Sequence, residues 1–77
     1  MKPVDSIFAD FHNSDKEGRV RLNTAGTFED LKLKNIVLTA GMQVMLDDHE
    51  EFNILGIVEF SETENIWVAK IDWKDLD

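Results

Sequence analysis

This 77-residue chain contains no cysteine, which excludes several classes of function at once. Without thiols there can be no disulfide, no thiolate nucleophile and no cysteine-ligated zinc or iron–sulfur centre. Its four glycines are isolated from one another, so the sequence has no glycine-rich loop that could hold a phosphate. We therefore expect a protein that carries no cofactor.

Long apolar runs are also missing, and no segment approaches the roughly 18 consecutive apolar residues of a membrane span. The N-terminal residues lack the unbroken apolar stretch of a signal peptide, because Asp5 and Asp10 interrupt it. A chain of 77 residues has the size of one small domain, and 43% of its residues are hydrophobic, enough to form a core. We expect a single folded domain, residues 1–77, located in the cytoplasm.

Basic residues are scarce in the second half of the chain. Residues 1–38 contain six lysines and arginines and six carboxylates, whereas residues 39–77 contain two lysines and ten carboxylates. The whole formal net charge of −8 therefore arises in the second half. Such a field repels phosphate backbones and anionic lipids. We expect no direct binding to nucleic acid or to membranes, and a protein partner with a basic surface.

The hydrophobic residues follow the period of two that is typical of β-strands. Segments 6–11 and 19–23 both alternate, and the turn-forming residues between them predict a hairpin of the first two strands. Segment 42–47 alternates as well. Segments 53–60 and 65–73 are rich in β-branched and aromatic residues, and the polar loop between them predicts a second hairpin.

One segment breaks the strand pattern and predicts a short helix near residues 28–34. Thr27 can cap its start, and Asp30 three residues later completes a weak capping box. Five or six short strands with one brief helix predict a mostly β domain, either a small curled antiparallel sheet or a barrel. The strand spacing over residues 36–73 resembles that of SH3-like small barrels, a likeness of architecture that implies no function.

The most acidic segment lies between two predicted strands and contains one histidine, His49. Four carboxylates surround this histidine: Asp47, Asp48, Glu50 and Glu51. The position between strands indicates a solvated hairpin turn, whose charges discourage unwanted strand pairing. If the carboxylates converged on one point, they could instead bind a divalent cation weakly.

Three apolar side chains are candidates for contact with a partner. Phe8 and Met45 are predicted on outward strand faces, and Trp73 at the end of the last strand, whereas Trp67 is predicted in the core. An exposed apolar spot rimmed by carboxylates is typical of a protein-contact surface. The candidate partner-binding residues are therefore the four carboxylates and these three side chains: Asp47, Asp48, Glu50, Glu51, Met45, Phe8 and Trp73.

The leading hypothesis is a small, acidic, non-enzymatic interaction module or accessory subunit that binds a protein partner. We do not expect an enzyme, because no nucleophile stands in a recognisable catalytic context. One alternative is an acidic mimic of nucleic acid that occupies a DNA- or RNA-binding protein. Another is weak divalent-metal binding, or a metal-dependent enzyme that uses His49. Self-association into a homo-oligomer is also open, because an outward apolar residue on an edge strand can pair two sheets.

Overall fold

The computed structural model describes residues 4–76, and of Leu76 only the backbone. These residues form five strands, one α-helix and a terminal 3-10 turn: β1 (Ser6–Phe8), β2 (Val20–Arg21), α1 (Ala25–Leu33), β3 (Gln43–Asp47), β4 (Asn53–Ser61), β5 (Ile66–Lys70) and the turn Trp73–Leu76. The predicted fold class, a small and mostly β domain with one short helix, is confirmed. No helix in this part of the chain has the length and apolar character needed to cross a bilayer.

The five strands form one sheet that curls into half a barrel, in the order β1-β3-β4-β5-β2. The antiparallel succession of β3, β4 and β5 agrees with the sequence pattern. The predicted hairpin of the first two strands is wrong. β1 instead pairs in parallel with β3, with Ile7 opposite Leu46, while β2 pairs with β5, with Val20 opposite Ala69. β1 and β2 therefore lie on opposite edges of the sheet. In these positions Ile7 of β1 and Val20 of β2 are both fully buried.

The core fills the concave side of the sheet. Its side chains alternate along the strands, and six of them are entirely shielded from solvent: Ile7, Val20, Val44, Leu46, Val58 and Ala69. Val68 of β5, next to Ala69 and on the other face, is fully buried as well. Gly56 faces the same side, where an added Cβ would lie 3.2 Å from Leu46 Cδ1 and from Ala69 Cβ. The missing side chain therefore lets the neighbouring strands pack closely in a strongly curled sheet.

The helix α1 covers the free edge of β1. Its N-cap is Thr24, whose side chain accepts a hydrogen bond from Thr27 N at 3.2 Å, so the helix begins earlier than predicted. Thr27 is buried and donates to Phe8 O at 2.7 Å, while Asp30 Oδ2 accepts from Phe8 N at 2.8 Å. The pair expected to cap the helix thus binds the backbone of β1 instead. An edge strand satisfied in this way offers no template for another chain.

The opposite edge, β2, is covered by the turn that precedes it. Arg21 N donates to Asn13 O at 2.9 Å, and Asp15 N donates to Arg19 O at 2.8 Å. Arg19 also reaches across β5 to Glu59 on β4, with Nη1 3.1 Å from Oε1. Burial acts to raise the pKa of Asp15, but hydrogen bonds from the backbone and side chain of Arg19 outweigh it and hold that pKa below its ordinary value. The chain's own polar groups therefore occupy this edge as well.

The two tryptophans near the end of the chain have different surroundings. Trp67 packs against the core but is partly exposed, so its predicted core position is confirmed only in part. The prediction that the last strand reaches Trp73 is wrong, because β5 ends at Lys70. Trp73 begins the 3-10 turn, is 38% exposed, and donates from Nε1 to Gly18 O at 2.6 Å. This bond holds the indole against the turn that precedes β2.

Candidate functional site

The acidic segment 47–51 forms the turn between β3 and β4, as its position in the sequence predicts. Asp48 organises this turn, because its Oδ1 accepts hydrogen bonds from the backbone N–H groups of Glu50, Glu51 and Phe52 at 2.9, 3.0 and 3.0 Å. The bonds from Glu50 and Phe52 are the main reason why the pKa of Asp48 lies below its ordinary value. The carboxylate therefore stays ionised at neutral pH and holds the turn in one shape.

His49 lies in this turn with a φ of 62°, a left-handed conformation that few non-glycine residues adopt. Its backbone N–H donates to Asp47 Oδ1 at 2.8 Å. Its ring stacks on Phe8, with centroids 5.5 Å apart and planes inclined by 8°. Within residues 4–76, no three histidine and carboxylate side chains are grouped so that they could hold a metal ion. The position of His49 is thus explained by the turn and by its contact with Phe8.

Four of the seven predicted partner-binding residues line one groove, which we name the acidic groove. Its volume is about 450 Å³, within the usual size range of ligand sites. Its lining consists of Phe8, Asp10, Phe11, His12, Asp48, Glu50, Phe52 and Trp73. The parallel pairing of β1 with β3 creates the groove, because it places the segment that follows β1 beside the turn that follows β3.

Aromatic side chains form the walls of the acidic groove. Phe11 and Phe52 meet edge to face, with centroids 6.3 Å apart and planes inclined by 86°. Phe8 is held by its stack on His49, and Trp73 by its hydrogen bond to the backbone. These contacts restrain the rings before any ligand arrives. Their faces can attract a cation through the negative charge of the π-system.

Carboxylates supply the polar groups of the acidic groove. Asp10 Oδ1 accepts from His12 N at 2.9 Å, an arrangement that resembles the contacts of Asp48 Oδ1 in its own turn. In both residues, every side-chain hydrogen bond within the described part of the chain goes to Oδ1, so Oδ2 can accept from a ligand. With Glu50, the lining holds three carboxylates and no lysine or arginine. The groove is therefore suited to a cationic side chain.

The other three predicted residues lie outside this lining. Met45 is half-buried on the convex face of the sheet, between Ser6 of β1 and Leu55 of β4. Asp47 is half-buried, and its Oδ1 is engaged by the backbone of the turn. Glu51 is exposed on the same turn. The structure thus separates Glu50, which lines the groove, from Glu51, which has the same charge and does not.

Four residues of the acidic groove are not among the residues predicted from the sequence: Asp10, Phe11, His12 and Phe52. A signal for Phe52 was present, because an apolar side chain directly after an acidic turn needs an apolar contact near that turn. The other three follow β1, and their proximity to the turn depends on the parallel pairing of β1 with β3. Nothing local in the sequence indicates that pairing.

Comparisons with protein-family models, with curated proteins and with solved structures find no match to this chain. Its function must therefore be inferred from its own residues. The acidic groove is the starting point, because it combines fixed aromatic walls with carboxylates of one sign.

Proposed function

We propose that this protein is a non-enzymatic interaction module that binds a basic segment of a partner protein in the acidic groove. The observation that carries the proposal is the lining itself, in which four phenylalanine and tryptophan side chains and three carboxylates surround one groove. Aromatic faces and carboxylates both favour a cation, and a lysine or arginine side chain also has an apolar stem that can lie along the rings.

The expected energies favour a segment with several basic residues over a single one. An exposed carboxylate contributes about 1 kcal/mol or less to a contact with one cation, and an exposed aromatic face contributes a similar amount. One side chain that met the whole groove would therefore bind with a Kd of about 1 mM. A useful affinity needs further basic residues beside the first, so that Asp10, Asp48 and Glu50 of the lining each meet a separate cation.

The test is a titration of the full chain with a labelled, end-capped peptide of alternating arginine and glycine, followed by fluorescence anisotropy. We expect binding that weakens about fivefold or more between about 0.05 M and about 0.5 M sodium chloride, because salt screens exposed charge pairs. Replacement of Glu50 by Gln should weaken binding about threefold at low salt, since one carboxylate of the lining is lost.

The matched control is Glu51→Gln, which removes the same charge from the same turn but outside the groove lining. It should change the affinity by less than about 1.5-fold, the effect of a charge that the ligand does not touch. Equal effects of the two variants would mean that the peptide senses only the net charge of the protein. A Kd that does not change with salt would reject the proposal directly.

The other hypotheses drawn from the sequence have less support and stay predictions. Against the nucleic-acid mimic, Glu59 and Glu64 are paired with Arg19 and Arg21, so each of these two carboxylates already has a cation beside it. Displacement of a bound partner by duplex DNA, without a similar effect of the arginine peptide, would favour the mimic. The metal-dependent alternative, a cytoplasmic location and an SH3-like architecture likewise stay predictions.

A further inference from the structure

A second groove lies where α1 meets the end of the sheet formed by β4 and β5, and we name it the uncharged groove. Its volume is about 370 Å³. Its lining consists of Leu22, Asn23, Phe28, Phe60, Asn65, Ile66 and Trp67. Charged residues make up 31% of the chain, yet this lining contains none. Such a surface offers nothing to a charged ligand and a large contact area to an uncharged one.

The aromatic side chains of the uncharged groove are partly open to solvent. Phe60 and Trp67 meet edge to face, with centroids 5.0 Å apart and planes inclined by 79°. They form a corner with one wall from each ring. Phe28 on α1 is 55% exposed and Phe60 is 39% exposed, which is unusual for such large apolar residues. The ring of another residue can pack against these partly open aromatic faces.

The polar side chains of the uncharged groove offer several hydrogen-bond donors. Asn23 Oδ1 accepts from Asn13 Nδ2 at 2.9 Å, whereas the NH₂ group of Asn23 makes no bond to the described residues and can donate to a ligand. The indole N–H of Trp67 makes no hydrogen bond to the described residues. Among these residues, every buried polar side-chain atom has a hydrogen-bond partner, so an atom without a partner is not buried. This N–H therefore reaches solvent. A ligand with exposed carbonyl groups would match these donors.

Strand addition beside this groove is blocked. The nearest edge strand is β2, and its outward backbone groups are engaged by the preceding turn, through Arg21 N to Asn13 O at 2.9 Å. A peptide that bound by extending the sheet would have to displace that turn. The occupant must therefore bind through side chains and carbonyl groups, without a ladder of backbone N–H bonds.

We propose that the uncharged groove binds a proline-rich segment of another protein in the polyproline II conformation. Proline rings are uncharged and flat enough to stack on aromatic side chains, and a proline-rich backbone presents carbonyl groups but few N–H groups. Residues 4–76 contain no proline, so no part of the described domain can itself supply such a segment. This site is independent of the acidic groove, because the two linings share no residue.

The test uses end-capped decaproline as the probe and ¹H–¹⁵N NMR spectra of the full chain, in which the two indole N–H groups act as internal reporters. A Trp73→Phe variant assigns the two signals. We expect decaproline to shift the Trp67 indole signal and to leave that of Trp73 in place. A capped glycine–serine peptide of equal length should shift neither, because it lacks rings and a preformed conformation.

Phe28→Ala is the variant that tests the contact, and it should weaken decaproline binding about tenfold, since one stacking surface is lost. Leu33→Ala is the matched control. Leu33 lies on the same helix and is 79% exposed, but it does not line the groove. Its replacement should leave the affinity unchanged. Both changes are at exposed helix positions and favour the helix, so the domain should stay folded.

Three results would overturn the proposal. The first is no shift of the Trp67 indole signal at about 1 mM decaproline, the weak end of useful affinity. The second is an equal response to the glycine–serine peptide, or an equal loss of affinity in Phe28→Ala and Leu33→Ala. The third is a change in the Trp67 indole signal as the protein concentration is raised in the absence of any peptide. That result would mean that a second copy of this chain occupies the groove.

Discussion

The acidic groove and the uncharged groove are built from the same kind of wall but have different polar groups. All seven phenylalanine and tryptophan side chains of the protein line one or the other, four in the acidic groove and three in the uncharged groove. Aromatic rings therefore provide the contact area in both places. The residues between the rings select the ligand, carboxylates for a cation and amides for a neutral segment.

The two grooves also differ in how their charges arise. In the acidic groove, Asp10 and Asp48 accept backbone N–H bonds of their own turns, so the groups that shape the turns also supply the negative charge. Near the uncharged groove, the opposite charges of Arg21 and Glu64 are paired, with Nε 2.7 Å from Oε1. That pair cancels charge close to the lining. Local ion pairing, as well as composition, therefore decides the character of each surface.

The largest expected difference between the grooves concerns their tryptophans. Trp67→Ala should lower the free energy of unfolding by about 3 kcal/mol, because the side chain packs against the core and its loss leaves a cavity. Trp73→Ala should cost only about 1 kcal/mol, since its indole is partly exposed and loses one hydrogen bond. Urea denaturation of both variants measures this. Equal losses would mean that Trp73 is a structural residue rather than a contact residue.

An intermediate effect is expected at the helix that serves both grooves. α1 carries Phe28 of the uncharged groove, and Thr27 on α1 binds the backbone of Phe8, which lines the acidic groove. Thr27→Val keeps the shape but leaves Phe8 O without its donor, so unfolding should become easier by about 2 kcal/mol. Affinity for both the arginine peptide and decaproline should fall together, whereas a change inside one groove affects one ligand.

The control for this variant is Thr39→Val, which makes the same chemical change at an exposed position. It should alter the free energy of unfolding by less than about 0.5 kcal/mol, as surface substitutions usually do. If Thr27→Val were no more destabilising than Thr39→Val, the contact between α1 and β1 would not hold the two grooves together.

The smallest expected effect is a pH dependence at the acidic groove. The pKa of Asp48 is lower in the folded protein than its ordinary value of 3.8, chiefly through the backbone N–H of Glu50. The ionised form therefore stabilises the fold above pH 3.8, and this contribution is lost as the pH falls through and below that value. Acid should also weaken binding of the arginine peptide while leaving decaproline binding unchanged as long as the protein is folded.

Asp48→Asn removes this titration while keeping an oxygen that accepts the turn's hydrogen bonds. Urea denaturation at pH values from about 5 to about 3 should show a smaller loss of stability in this variant than in the wild type. Glu51→Gln serves as the comparison, because no backbone N–H among the described residues donates to its side chain. A pH dependence of the wild type that both variants share would assign the effect to other carboxylates.

Several features were predictable from sequence because they depend on neighbouring residues. The alternation of Val44 and Leu46, and the acidic turn that follows them, indicate β3 and its hairpin with β4. The start of α1 was not predictable from the Thr27–Asp30 spacing, because those side chains bind Phe8 in a distant strand. A capping pattern indicates only that the two side chains can form hydrogen bonds with backbone groups. Tertiary contacts decide whether those groups belong to the helix itself or to another element, here β1.

The candidate site was predictable only in part for the same reason. Asp48, Glu50, Phe8 and Trp73 were identifiable as charged or exposed apolar residues, but Met45 has the same sequence character and lies on the convex face. Distance along the chain carries no information on which of these meet. The charge asymmetry is similar: it is present in the sequence, whereas the ion pairs that reduce it, such as Arg19 with Glu59, join the two halves only in the fold.

The sequence by itself determined the strands, the turns and the location of the acidic excess, because periodicity, turn chemistry and charge are local properties of the chain. Only the tertiary structure decided that β1 lies beside β3 and β2 beside β5. That choice follows from burying Ile7 and Val20 against strands far away in sequence, a gain that no local pattern expresses. The acidic groove depends directly on this pairing, since it exists only where the segment after β1 meets the turn after β3.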